Sequence, residues 1–123
     1  MNDILNLQIL PARLEHTALE LEDARINLLG AVTTHYEAKR SLNLAEAKQR
    51  QAGVEGKNDA ERNAHLRLTL SKEYEALEQA EDQLSEARCQ LELAMLHWDL
   101  ARHQARLVEA STVSPIIPFK QAA

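Results

Sequence analysis

Large and small residues alternate along two long stretches of this chain with one shared period of seven. In the first stretch a large position recurs at every seventh residue, and a small position follows each of them three residues later. The large positions are Leu14, Leu21, Leu28, His35, Leu42 and Gln49, and the small positions are Thr17, Ala24, Ala31, Ala38, Ala45 and Ala52. This spacing predicts a helix that packs along one seam against another helix.

The second stretch repeats the arrangement nearer to the C-terminus. Its large positions are Leu77, Leu84, Leu91, Trp98 and Ala105, and its small positions are Ala80, Ala87, Ala94, Ala101 and Val108. Between the stretches, Gly53 and Gly56 interrupt the pattern. Two such helices joined by a short connection predict an all-α fold, a long antiparallel helical hairpin of the coiled-coil type. If the hairpin folds near Arg62, the numbers of paired residues sum to about 124, which would place Leu28 beside Leu96 and Leu21 near His103.

Turn and capping residues divide the chain into a leader, a hairpin domain and a tail. Residues 1–10 are a short apolar leader whose pattern fits either a strand or a helix. Residues 11–110 are the hairpin domain, with Pro11 expected in the first turn of its first helix. Residues 111–123 are a tail in which two prolines flank apolar residues. Such a segment either lies on the hairpin or docks into a groove of a partner.

The second arm of the hairpin is predicted to contain two helices. Asn58 is a favourable cap because its side chain can accept an N–H of the first helical turn, and Glu61 follows at the third position after it. We expect a short helix at the bend over residues 59–70 and a long helix over residues 72–110, with Ser71 as the second cap. A single helix that continues through Ser71 is the alternative.

Each long helix also carries apolar residues on a second face, away from the seam. These residues are Leu19, Ile26, Leu29 and Tyr36 on the first helix, and Leu93, Leu96, Leu100 and Leu107 on the last. A helix that is apolar on two faces must be covered on both. We predict that these residues form the interface of a homodimer, in which two hairpins make a four-helix bundle. The alternative cover is the leader and tail of the same chain.

Charge is unevenly distributed, although the formal net charge is only -5. Eight basic and four acidic residues lie between Lys39 and Lys72, whereas the remainder holds six basic and fifteen acidic residues, so the bend is basic. A basic surface can follow phosphates. The candidate contacts with nucleic acid or another partner are Lys48, Arg50, Lys57, Arg62 and Arg67. Against base stacking, no aromatic residue lies between Tyr36 and Tyr74, and solvated surface charge is the alternative interpretation.

The sequence contains no pattern that is typical of catalysis, of a cofactor site or of metal ligation. The five histidines show no i, i+4 pairing, and the two glycines of the turn lack the ending of a phosphate-binding loop. We therefore expect no enzymatic activity, no cofactor and no metal, with His35 as a polar residue of the seam. The single Cys89 is expected to be buried and fits a cytoplasmic location. No signal peptide and no membrane span are expected.

The turn residues Gly56-Lys57-Asn58-Asp59-Ala60-Glu61-Arg62 are followed by a leucine-rich turn and Tyr74. This pattern resembles small, mostly uncharacterised helical proteins of bacteriophages and prophages, often found near phage recombination genes, over about Leu42 to Leu100. The resemblance implies a phage or mobile-element accessory factor that acts with DNA recombination or replication machinery, and it carries no catalytic residue. The function expected is that of a non-enzymatic interaction protein. The alternatives are a stoichiometric inhibitor of a host or defence protein and a structural coiled-coil spacer.

Overall fold

The computed structural model describes residues 2–113, and it describes side chains for residues 11–111. The helices in chain order are α1 (Asn2–Ala52), α2 (Asp59–Thr69) and α3 (Ser71–Val113), and this part of the chain contains no strand. The long helices α1 and α3 pack against each other as the arms of a helical hairpin. The predicted all-α hairpin is therefore confirmed.

The outer ends of the long helices differ from the sequence-based boundaries. The first helix begins at Asn2, so the backbone of residues 2–10 is helical and Pro11 lies inside the helix rather than in its first turn. An internal proline removes one helical hydrogen bond because it has no N–H group. At the other end, α3 continues to Val113. Residues 114–123, with both prolines of the tail, lie outside the described residues, as do the side chains of the leader.

The seam residues lie where the heptad pattern predicts them. Every predicted seam residue except Ala52 is buried or half-buried. Leu21, Ala24 and Ala94 form a buried cluster, with Leu91 and Trp98 packed against it. Because one seam position in two is small, the helix backbones can approach closely along the contact. The period of seven is thus realised as the packing surface of the hairpin.

The chain forms two compact units, and each is described separately. The turn unit consists of Ile26–Cys89, and the end unit consists of the described residues up to Arg25 and from Gln90 onward. The end unit contains the seam cluster around Ala94. The turn unit contains α2 and a second buried cluster, formed by Leu42, Leu66 and Leu70.

The pairing of α1 with α3 is shifted from the predicted register. In the end unit, His97 Nδ1 lies 2.9 Å from Glu20 Oε1, so Leu96 is level with Leu21. The prediction that Leu28 lies beside Leu96 is therefore wrong by one heptad. The chain reverses at the glycine segment, before α2, rather than within α2. A shift of one whole heptad returns large and small positions to the same seam, so the burial pattern is unchanged.

The break between α2 and α3 is one residue long. Leu70 leaves the helical conformation, with φ -106° and ψ 33°. Its N–H still donates to the carbonyl of Leu66 at 2.8 Å, and its carbonyl accepts from the N–H of Tyr74 at 3.0 Å. Ser71 is the first residue of α3 and not its cap. The backbone hydrogen bonds continue through Leu70, so the first turn of α3 does not require a capping side chain.

Cys89 is exposed, contrary to the sequence-based expectation. It follows the seam residue Ala87 by two positions on α3, which turns its side chain away from the seam. Its neighbours four and seven residues later, Leu93 and Leu96, are also exposed. The cysteine therefore belongs to the outward face of α3.

Candidate functional site

The chain reverses in a segment where two glycines adopt backbone conformations that other residues rarely adopt. Gly53 has φ +100° and Gly56 has φ +146°. A Cβ atom on Gly56 would lie 2.7 Å from the backbone nitrogen of Arg62, which is closer than such atoms approach. Glycine at this position therefore lets the turn lie directly against the first turn of α2.

Asn58 caps α2, as the sequence predicts. Its Oδ1 accepts a hydrogen bond from the N–H of Glu61 at 2.9 Å, and Glu61 Oε2 in return accepts from the N–H of Lys57 at 2.8 Å. These reciprocal bonds satisfy two backbone donors at the helix start. One turn into the helix, Arg62 Nη2 donates to Asp59 Oδ1 at 3.0 Å. The local sequence thus fixes the backbone that carries the basic residues of the bend.

The turn brings two of the predicted contact residues to one cavity. Arg50, in the last turn of α1, and Arg62, in α2, both line a shallow cavity of about 160 Å³. Asp59 lines the same cavity and pairs with Arg62, so it offsets part of the positive charge. Arg50 has no ion-pair partner among the described residues. The unbalanced positive charge of the cavity therefore comes from Arg50.

Arg67 is engaged in a structural contact of the turn unit. Its guanidinium lies 5.4 Å from the centroid of the Tyr74 ring, and the Tyr74 hydroxyl donates a hydrogen bond to Glu46. The hydrogen bond to Glu46, then burial and the Glu46 charge, raise the pKa of Tyr74 despite the opposing charges of Arg67 and Arg50. The protonated hydroxyl therefore donates a hydrogen bond that links α3 to α1. Sequence reasoning missed this pair, because its residues are far apart in the chain.

The remaining predicted contacts, Lys48 and Lys57, are exposed and do not line the cavity. Neither has an ion-pair partner in the described part of the chain. The basic bend therefore presents three cations without an ion pair, Lys48, Arg50 and Lys57, and two with intramolecular partners, Arg62 and Arg67. Its surface is positive but not a single continuous cluster.

The predicted interface residues are all exposed. The four leucines on α3, Leu93, Leu96, Leu100 and Leu107, are 45–65% exposed, and Leu19, Ile26, Leu29 and Tyr36 on α1 are 53–70% exposed. On α3 the seam residues Ala94 and Ala101 are buried, so the four exposed leucines lie outside the seam, and Leu100 borders an open groove that residues of α1 also line. Spacings of three, four and seven residues align the leucines along one helix face. We call them the leucine row.

His35 is half-buried on the seam, and its Nε2 lies 3.8 Å from Glu81 Oε1. Among the described residues, no group of three or more His, Cys, Asp or Glu side chains is placed to hold a metal ion. None of the helices within these residues combines the length and the apolar character that crossing a bilayer requires. Comparison of the chain with protein-family models, with curated proteins and with solved structures gives no match.

Proposed function

We propose that this chain is a non-enzymatic helical interaction protein, an accessory factor of a phage or mobile element that acts with DNA recombination or replication machinery in the bacterial cytoplasm. The leucine row carries the proposal: Leu96 is 65% exposed, while Ala94, two residues away, is 1% exposed. A row of exposed leucines this regular is typical of a contact surface. The resemblance of the turn residues to phage helical proteins supports the accessory role.

A second copy of the chain is the partner that fits the leucine row. In an antiparallel contact between two α3 helices, Leu96 of each copy meets Leu100 of the other. The same contact places Glu92 of each copy beside Arg106 of the other, and both side chains are exposed without an ion-pair partner among the described residues. Asp99 of one copy then faces Asp99 of the other. This is one unfavourable contact, against the two favourable contacts between Glu92 and Arg106. The result is a closed, two-fold symmetric dimer with four long helices.

Leu96→Lys is expected to convert the dimer into a monomer. A lysine at the centre of an apolar contact loses burial and leaves a charge to be desolvated, which raises the dissociation constant by about a hundredfold or more. Static light scattering over a range of concentrations gives the mass directly. Leu68→Lys is the matched control, because Leu68 is also exposed but lies on α2, outside the leucine row. Wild-type protein that stays monomeric at high micromolar concentration would contradict the dimer.

We further propose that the basic bend contacts nucleic acid. Lys48, Arg50 and Lys57 are exposed, and none of them forms an ion pair with an acidic side chain of the described residues. Phosphates bound there would release counterions, so affinity would fall as salt concentration rises. The acidic remainder of the chain repels nucleic acid and confines contact to the bend.

The double variant Lys57→Glu/Arg62→Glu is expected to weaken nucleic-acid binding. It should also reduce the slope of log affinity against log salt concentration by the amount expected for about one to two phosphate contacts. Filter binding or anisotropy across several salt concentrations measures both quantities. Arg25→Glu/Arg88→Glu changes the net charge equally at exposed positions outside the bend, and it should leave the salt dependence unchanged. Absence of binding at low salt by the wild-type protein would refute the nucleic-acid contact.

A further inference from the structure

Tyr36 is the one Tyr or Trp ring in the described part of the chain that no cation covers. Arg67 lies 5.4 Å from the centroid of the Tyr74 ring, and Arg102 lies 5.8 Å from that of Trp98. Both of those rings are half-buried, whereas Tyr36 is 66% exposed. The faces of the Tyr36 ring are therefore open to an external group.

Basic and amide side chains lie on the C-terminal side of Tyr36, on the same face of α1. Lys39 and Arg40 follow at the third and fourth positions and Asn43 at the seventh, and together with Leu44 they line a groove of about 420 Å³. Residues three and four positions apart are neighbours on a helix surface, so Lys39 and Arg40 lie one turn beyond the ring. Neither cation has an ion-pair partner in the described part of the chain. The groove thus joins an open aromatic face to two cations without an ion-pair partner among the described residues.

We infer that this groove binds single-stranded nucleic acid, with one base stacked on Tyr36 and the neighbouring phosphates on Lys39 and Arg40. A positive groove with an aromatic platform is the combination that holds unpaired strands, because every base has a face to stack. In a duplex those faces are covered by neighbouring base pairs, so Tyr36 could not stack on them. The amide of Asn43 can form a hydrogen bond with a base edge or a sugar.

This inference rests on the proposed nucleic-acid contact of the basic bend, and it names the form of nucleic acid bound. Lys48 and Arg50 follow the groove along α1 within the turn unit, so the two surfaces belong to one basic stretch of helix. The interval between Tyr36 and Tyr74 contains no aromatic residue. Tyr36 itself stands at the border of that interval and supplies the ring.

Three variants separate stacking from apolar packing at this position. Tyr36→Phe keeps the ring, and Tyr36→Leu keeps an apolar side chain without a ring. Leu29→Ala removes an exposed apolar side chain two turns before Tyr36 on the same face of α1. Anisotropy is measured with a labelled oligothymidylate of about 12 nucleotides, within the usual range of such sites, and with a duplex of equal length. Light scattering on the same samples reports self-association.

We expect Tyr36→Leu to weaken single-strand binding about tenfold and duplex binding not at all, whereas Tyr36→Phe and Leu29→Ala bind the single strand as the wild type does. Equal loss for both strand forms, or no loss, would overturn the inference and leave the nucleic-acid contact of the bend standing. Loss of self-association with unchanged single-strand binding would also overturn it and assign the ring to the dimer. Wild-type protein that binds neither form would refute the proposed contact itself.

Discussion

Leu66→Ala is expected to lower the free energy of unfolding by about 2–5 kcal/mol. Leu66 is 2% exposed and is the largest fully buried side chain among the described residues. It packs with Leu42 of α1 and with Leu70 in the core of the turn unit. Leu66 is the buried residue of α2, so no other side chain of that helix can take over its contacts.

Chemical denaturation followed by circular dichroism at one fixed protein concentration measures this loss, since self-association would otherwise shift the apparent stability. Leu68→Ala is the matched control on the same helix, two residues away, because Leu68 is 79% exposed. Its effect should stay within about 0.5 kcal/mol. Equal and small losses for both variants would show that α2 does not dock on α1 through Leu66.

The anchoring of α2 also bears on the basic bend. Arg62 belongs to α2 and Arg50 to α1, and both line the cavity at the turn, whose lining also includes Leu66. A cavity left by Leu66→Ala would loosen the position of α2, and with it the position of Arg62 relative to α1. The hydrophobic cluster of the turn unit therefore orients the charges that the proposed contact uses.

The heptad seam and the cap of α2 could be predicted from sequence because both are local patterns. A period of seven is counted along the chain, and its large and small positions become the buried face of each helix whichever helix pairs with it. The cap depends on bonds among Lys57, Asn58 and Glu61, all within a few residues. Both patterns involve residues that are close in sequence, so they can be predicted without knowing which helices pack together.

The register and the core of the turn unit could not be predicted in the same way. Pairings that differ by one heptad bury the same seam residues, and only contacts distant in sequence, such as Glu20 with His97, distinguish them. Leu66 and Leu70 were missed as core residues because α2 is too short to show a heptad. Leu66, Leu70 and Tyr74 follow one another at intervals of four residues, and this spacing favours a single buried face along α2 and the start of α3.

The basic bend shows the limit of counting charges. The sequence shows the excess of basic residues, but it does not show which of them have intramolecular partners. The structure pairs Arg62 with Asp59 and lays Arg67 over Tyr74, which leaves Arg50 as the cation of the cavity without an ion pair. An i, i+3 pair such as Arg62 with Asp59 was within reach of sequence reasoning. The contact of Arg67 with the ring depends on how α2 meets α3 at the break.

Ala94→Leu is expected to lower the free energy of unfolding by about 1–3 kcal/mol through overpacking of the seam. Ala94 is 1% exposed and lies in the end unit against Leu21 and Ala24 of α1. A small residue there allows the two backbones to approach closely, so a leucine must force α1 and α3 apart or adopt a strained rotamer. The loss would come from steric strain, because leucine and alanine both favour a helix.

Thermal unfolding at fixed concentration tests this, with Ala76→Leu as the control at an exposed position of the same helix. The control makes the same chemical change without a neighbouring helix and should leave the midpoint within a few degrees of that of the wild type. The two variants separate packing from helix propensity, which is nearly the same in both. An unchanged midpoint for Ala94→Leu would mean that Ala94 does not lie on the seam, and the pairing of α1 with α3 would have to differ from the one described.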